Sequence, residues 1–248
     1  MTWTGIIPAR YASSRFPGKP LAVIADKPMI RHVYEQCLSS RLDRIVVATD
    51  DERIFRAVEE FGGEVVMTSG DHPSGTDRCG EAAQILQLDT SDGIVNIQGD
   101  EPFIRPEQIN ALIDAFDNPE VAISTLMTRL PNLPEAADPH TVKVIRRLNG
   151  KALYFSRYAI PFTRDDENDT TVYYKHIGIY AYRNAVLQKI IGLPESYLER
   201  KEKLEQLRWL ENGMDIYMVL CEYDGISIDT PGDLIKAHQR IDTDFGIL

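Results

Sequence analysis

Residues 6–21, Ile-Ile-Pro-Ala-Arg-Tyr-Ala-Ser-Ser-Arg-Phe-Pro-Gly-Lys-Pro-Leu, constrain the chain more than any other stretch. An apolar run near the start feeds a loop that carries Arg10, Arg15 and Lys19 and turns at Pro17-Gly18. This suits the first strand of an α/β nucleotide fold, where ligands bind beyond the carboxyl ends of the strands. Cations there can gather on a triphosphate, arginine as a fork of donors and lysine as a point charge. Two familiar phosphate loops do not match. A P-loop needs glycine five residues before its Gly-Lys pair and Ser or Thr after it; the chain has Ser13 and Pro20 there. A dinucleotide fingerprint needs G-x-G-x-x-G, and this loop has Gly18 alone.

Periodicity then predicts β-α-β-α-β. Pro28 opens a helix with Met29, Ile30, Val33 and Cys37 at helical spacing; residues 44–48 form a buried strand; Asp50 caps a helix lined by Ile54, Val58 and Phe61, which Gly62-Gly63 ends. Strands at 64–67 and 93–97 and helices at 77–86 and from Pro106 follow. This alternation marks a mainly parallel, doubly wound α/β sheet. After about residue 120 the pattern turns β-rich: strands at 122–127, 142–148, 152–156 and 175–182, with Asn149-Gly150 as a two-residue hairpin turn. Residues 198–212 read as one long helix, 216–220 and 226–228 as late strands, and Thr230-Pro231-x-Asp233 as a variant capping box. The chain is expected to be a single domain over residues 1–248, with the β-rich element within roughly 120–190.

Composition narrows the function. A net charge of −11 disfavours nonspecific binding to nucleic acid or anionic membranes. It leaves room for an anionic substrate, because exposed charges beyond about 8 Å are screened at physiological salt and a local cationic cluster then rules its own pocket. No apolar run approaches the roughly 18 residues of a membrane span, and Met1-Thr2-Trp3-Thr4 lacks the basic start of a signal peptide. Cys37, Cys79 and Cys221 are far apart without a C-x-x-C, so a reducing cytoplasm is expected.

Asp100 follows a buried strand and Asp229 another short apolar run. Strand ends distant in sequence can meet in an α/β fold, and two carboxylates facing a triphosphate suit Mg²⁺. Each also has a plainer reading, Asp100 as a turn residue and Asp229 as support for a helix start. Ser74 and Arg78 flank Gly75 in a loop that allows close backbone approach to a ligand. Arg157 ends a strand, His176 leads an alternating one, and Glu205 and Gln206 sit in a charged helix where position 205 can face inward.

Taken in order, residues 7–21, Val47-Ala48-Thr49-Asp50, Ser74-Gly75-Thr76-Asp77-Arg78, residues 96–102, residues 152–157, residues 176–180, residues 204–208 and Asp229-Thr230-Pro231 resemble the 3-deoxy-manno-octulosonate cytidylyltransferase (CMP-Kdo synthetase) family over nearly the full length. The resemblance implies a Rossmann-like nucleotide-diphospho-sugar transferase fold, a mixed, mainly parallel sheet with helices on both faces and a small inserted dimerisation element, hence a homodimer. It implies CMP transfer from CTP to 3-deoxy-manno-octulosonate (Kdo), dependent on Mg²⁺, for lipopolysaccharide synthesis in the cytoplasm. By motif, Pro8, Ala9, Arg10 and Lys19 bind CTP, Ser74 and Arg78 hold nucleotide and sugar, and Asp100 and Asp229 hold the metal. Gln98, Arg157, His176, Tyr180, Glu205 and Gln206 match the sugar-acid pocket, and Arg15 reaches phosphate or the sugar carboxylate. Arg10, Lys19, Asp100 and Asp229 are thus the expected catalytic set. Three departures stand out: Lys175 where many relatives have arginine, a short 163–173 loop, and Gly232 in place of an acidic residue. Transfer to 8-amino-Kdo or sialic acid, or a catalytically silent nucleotide-binding regulator, are the competing readings.

Overall fold

The computed structural model describes residues 1–12, 16–164, 171–223, 228, 230, 232–235 and 237. Arg15, Asp229 and residues 226–227 of the strand expected at 226–228 lie outside the described residues. The chain divides into two compact units, Met1–Asn110 with Arg183–Leu187 and Gly225–Leu248, and Ala111–Tyr182 with Gln188–Asp224.

In the first unit β1 (Trp3–Ala9) leads through the two-residue strands β2 (Val23–Ile24) and β3 (Lys27–Pro28) to α1 (Met29–Leu38). Then come β4 (Arg44–Thr49), α2 (Glu52–Glu60), β5 (Val65–Met67), α3 (Gly75–Ile85) and β6 (Gly93–Asn96), and α4 (Pro106–Asp114) follows. Strands β1 and β4 are apolar runs buried on both faces, the pattern of an interior parallel sheet. Their pairing sets Ile6 opposite Val46 on one side and Asn96 of β6 on the other, all parallel. The strand order is β6-β1-β4-β5. The chain therefore winds outward from β1 to β5 and returns to β6 on the opposite side of β1. The carboxyl ends of β1 and β6 flank this reversal, the place where an open α/β sheet leaves a crevice.

Two local readings shift. Asp51, not Asp50, caps α2, accepting from the Arg53 N–H at 2.9 Å, because the Asp50 carboxylate is taken by Arg78. Ser74 caps α3, which starts two residues earlier than periodicity indicates. A small core of Ile24, Met29, Phe103, Ile228 and Ala237 ties the ends of this unit's sequence together. The Ile228 N–H also donates to the Asp100 carbonyl at 3.0 Å. Thr230 and Asp233 exchange reciprocal hydrogen bonds, the capping-box geometry expected there.

In the second unit β7 (Ile123–Arg129) and α5 (Leu133–Ala137) precede the strands β8 (Lys143–Arg146), β9 (Ala152–Ser156) and β10 (Tyr174–Arg183). After these come α6 (Asn184–Ile191), whose residues up to Leu187 are counted with the first unit, α7 (Tyr197–Glu202), α8 (Gln206–Glu211) and β11 (Tyr217–Leu220). Strand β7 pairs antiparallel with β10 and parallel with β11, and β8 pairs antiparallel with β9 and β10. The β8–β9 turn is longer than the expected two-residue form. Gly150 N–H donates to the Arg147 carbonyl and Arg147 N–H to the Lys151 carbonyl, with Gly150 at φ +88°, a turn with a glycine bulge.

The long helix expected over 198–212 is two. Lys203 adopts φ +54° and splits α7 from α8. The α7 carbonyls freed at the break are met by Arg157: its Nε donates to the Glu202 carbonyl at 2.7 Å and Nη2 to that of Lys203 at 3.4 Å.

Candidate active site

The switch point in the first unit opens onto a cleft of about 220 Å³. Pro8, Ala9, Arg10, Lys19, Ser74, Arg78, Gln98 and Asp100 line it, so every described residue expected there from the nucleotide loop and the two following motifs is present. Pro8 and Ala9 end β1, while Gln98 and Asp100 follow β6. The Lys19 ammonium donates to Asp100 Oδ2 at 2.6 Å, joining residues 81 apart in sequence. Gly99 lets the segment after β6 lie against the end of β1, since a Cβ there would stand 3.0 Å from the Pro8 carbonyl oxygen. Gly18, at φ +71°, closes the loop by donating to the Tyr11 carbonyl at 2.9 Å.

Arg78 reaches the cleft wall but its guanidinium is engaged. Nη2 donates to Asp50 Oδ2 at 3.0 Å, and Nη1 to Thr68 Oγ1 at 2.5 Å and the Ser69 carbonyl at 3.2 Å. The side chain is 4% exposed. Arg78 thus ties the ends of β4 and β5 to α3. One turn along α3, Glu81 holds the same loop: its Oε2 accepts from the Ser69 N–H at 2.8 Å and from His72 Nε2 at 2.5 Å. Burial raises the Glu81 pKa, but the bonds from His72 and Ser69 outweigh it and hold the carboxyl below its usual range.

The remaining predicted residues belong to the second unit. His176 is buried, Nε2 against the Thr125 hydroxyl at 3.0 Å, and its ring lies edge-on to Phe155 and 5.5 Å from Tyr180. Burial pushes the His176 pKa down to about 3, so the imidazole is neutral. Burial, then the Glu205 charge, raise Tyr180 well above the ordinary phenol. Glu205 Oε1 accepts from Arg208 Nη2 at 2.8 Å, and Gln206 is buried at the start of α8. Arg157 braces backbone: besides the α7 carbonyls it donates to that of Pro139 at 2.9 Å. Its own carbonyl, with those of Asp138 and Thr141, accepts from the Lys143 ammonium, a fully buried lysine whose pKa burial lowers.

A family model described as Cytidylyltransferase matches residues 4–216. The 3-deoxy-manno-octulosonate cytidylyltransferase of Thermodesulfovibrio yellowstonii is 50% identical over 248 aligned residues, covering 96% of this chain and 97% of that protein. The chain belongs to the 3-deoxy-manno-octulosonate cytidylyltransferase family. The family member of Bacteroides thetaiotaomicron is 52% identical, covering 96% of this chain and 98% of its own. A solved CMP:2-keto-3-deoxy-manno-octonic acid synthetase, complexed with CTP, matches with a TM-score of 0.93 at 43% identity, covering 98% of this chain and all of that one. A 4-diphosphocytidyl-2C-methyl-D-erythritol synthase from Anaerococcus prevotii, 18% identical with a TM-score of 0.65, shares the fold of these cytidylyltransferases.

Sequence reasoning missed Asp50, His72, Glu81 and Lys143. For Glu81 a signal was present: Arg78 and Glu81 stand three apart and share one face of a helix whose start Ser74 marks.

Proposed function

We propose that this cytidylyltransferase moves CMP from CTP to the anomeric hydroxyl of Kdo, releasing diphosphate, as a step of lipopolysaccharide synthesis. One observation carries the reading: Arg10, Lys19, Ser74 and Asp100 gather at the switch-point cleft of a chain half identical to a curated Kdo cytidylyltransferase over nearly its whole length. The sugar oxygen attacks the α-phosphorus, a new P–O bond forms, and the bond to the β-phosphate oxygen breaks. Arg10 and Lys19 offset charge on the phosphoryl oxygens and the leaving diphosphate, and the Pro8-Ala9 and Ser74-Gly75 backbones fix the nucleotide for attack. Arg78 shapes this wall through Asp50 and Thr68. In the second unit, His176, Tyr180, Glu205 and Gln206 are the groups for the sugar acid, with Arg157 bracing the turn that precedes the last two.

Mg²⁺ belongs to the proposal. The Asp100 carboxylate lies partly exposed in the cleft that holds the cations, which fits an ion bound through one or two carboxylates and substrate phosphates. Asp100, with Asp229, would hold it, and it would supply charge neutralisation at the phosphate oxygens. The contact of Ile228 with Asp100 supports assigning the next residue to the same task. A homodimer is also proposed, supported by Tyr158 and Phe162 of the second unit, 83% and 86% exposed. No described helix is long and apolar enough to cross a membrane. Work in the cytoplasm is supported by three cysteines that form no disulfide.

The test is diphosphate release with CTP and Kdo, with the CMP-sugar identified by mass, repeated with 8-amino-Kdo, sialic acid and the other nucleoside triphosphates. Preference for another acid overturns the substrate, and no turnover with any acid overturns the enzyme. Sedimentation equilibrium tests the dimer, and a monomer at micromolar concentration refutes it.

A further inference from the structure

The cleft is chemically lopsided. Arg10, Lys19 and Asp100 charge one side, whereas His72, Pro73, Ser74 and Gly75 line the other, where the Arg78 guanidinium is taken up by Asp50, Thr68 and Ser69. If the triphosphate lies on the cations, the base falls against that wall. His72 is unusually well held for a loop side chain. Its Nε2 faces Glu81 Oε2 at 2.5 Å, and that oxygen also fixes the Ser69 N–H. Arg78 secures the loop from the other side through the Ser69 carbonyl and the Thr68 hydroxyl. A carboxylate can only accept, so Nε2 carries the proton, and in the neutral ring Nδ1 is left as an acceptor.

Cytosine and uracil differ at position 4, an amino donor in one and a carbonyl acceptor in the other. We infer that His72, oriented by Glu81, selects cytosine over uracil, its Nδ1 accepting a hydrogen bond from the 4-amino group. The inference rests on the CTP reading above. Uracil would set its carbonyl oxygen against the Nδ1 lone pair and leave both without a donor, which discriminates more strongly than a missing contact. Glu81 is a positioning residue: it touches no substrate and acts by fixing which nitrogen carries the proton.

The test compares kcat/KM for CTP and UTP with Kdo in the wild type, His72→Phe, His72→Asn and Glu81→Ala. His72→Phe keeps a ring and loses both nitrogens. It is expected to cut CTP use about tenfold and leave UTP use within about twofold, the scale of one hydrogen bond. Glu81→Ala is expected to shrink the CTP preference in the same direction by a smaller factor. His72→Asn, whose side-chain oxygen can accept in place of Nδ1, is expected to keep most of the preference, and it serves if the phenylalanine variant does not fold. CTP and UTP use falling together in His72→Phe would mean loop support alone and overturn the inference, as would a loss in His72→Asn as large as that in His72→Phe. A wild type that makes no CMP-Kdo from CTP would instead defeat the functional reading, and this inference with it.

Discussion

Acidification should unfold this protein partly through one buried ring. His176 has a folded pKa of about 3 against 6.5 in the open chain, because burial removes the water that would stabilise its charge. Below pH 6.5 the unfolded chain binds a proton that the folded imidazole refuses. The stabilisation is therefore complete above about 6.5 and is lost as pH falls from there toward 3. Proton linkage puts the loss between pH 7 and pH 5 at about 2 kcal/mol. For a chain of this size that lowers Tm by about 4–8 °C. Carboxylates titrate in the same range, so the His176 part is isolated by comparison with His176→Gln, which retains a donor for Thr125. The assay is thermal unfolding of both proteins at pH 7 and pH 5. The wild type should lose more stability than the variant by about 2 kcal/mol. Equal losses in the two proteins would refute the assignment of a neutral, proton-refusing His176.

Asp100→Asn should fold normally by circular dichroism and lose about 100-fold or more in kcat, the scale for one misplaced charge at a phosphoryl centre; kcat within tenfold of wild type would remove Asp100 from the chemistry. Arg78→Met should cost about 3 kcal/mol by stranding Asp50, and adding Asp50→Asn should restore part of it in a denaturant-melt double-mutant cycle; strict additivity would show the pair to be uncoupled. Gly99→Ala places a Cβ 3.0 Å from the Pro8 carbonyl oxygen, so Tm should fall and KM for CTP rise, with about 1–3 kcal/mol of overpacking; an unchanged KM would mean that the β1 end does not touch nucleotide. Lys203→Gly removes a left-handed side-chain residue and should gain about 0.5 kcal/mol after the entropy of glycine is counted; a lower Tm would show that the lysine side chain outweighs its backbone.

The first unit was legible because parallel strands buried on both faces appear as continuous apolar runs, and because loops after such strands collect the chemistry. That reasoning placed Lys19 and Asp100 in one site across 81 residues. It failed where two neighbours offered the same chemistry. Asp50 and Asp51 are both plausible caps, and only the buried Arg78 decides which is taken. The 198–212 segment is helical by periodicity, and its break depends on an arginine 45 residues away that no local pattern reveals. His72 carries no signal in its immediate sequence. Its meaning comes from a carboxylate nine residues on, across a loop whose path had to be seen.

The small core around Met29 and Phe103 has a consequence for how the protein is born. Two of its side chains, Ile228 and Ala237, leave the ribosome more than a hundred residues after Phe103. Chains emerge at about 5–20 residues per second, so the nascent N-terminal half must wait many seconds with an apolar surface uncovered. A truncated message would then yield not a smaller enzyme but a client for chaperones.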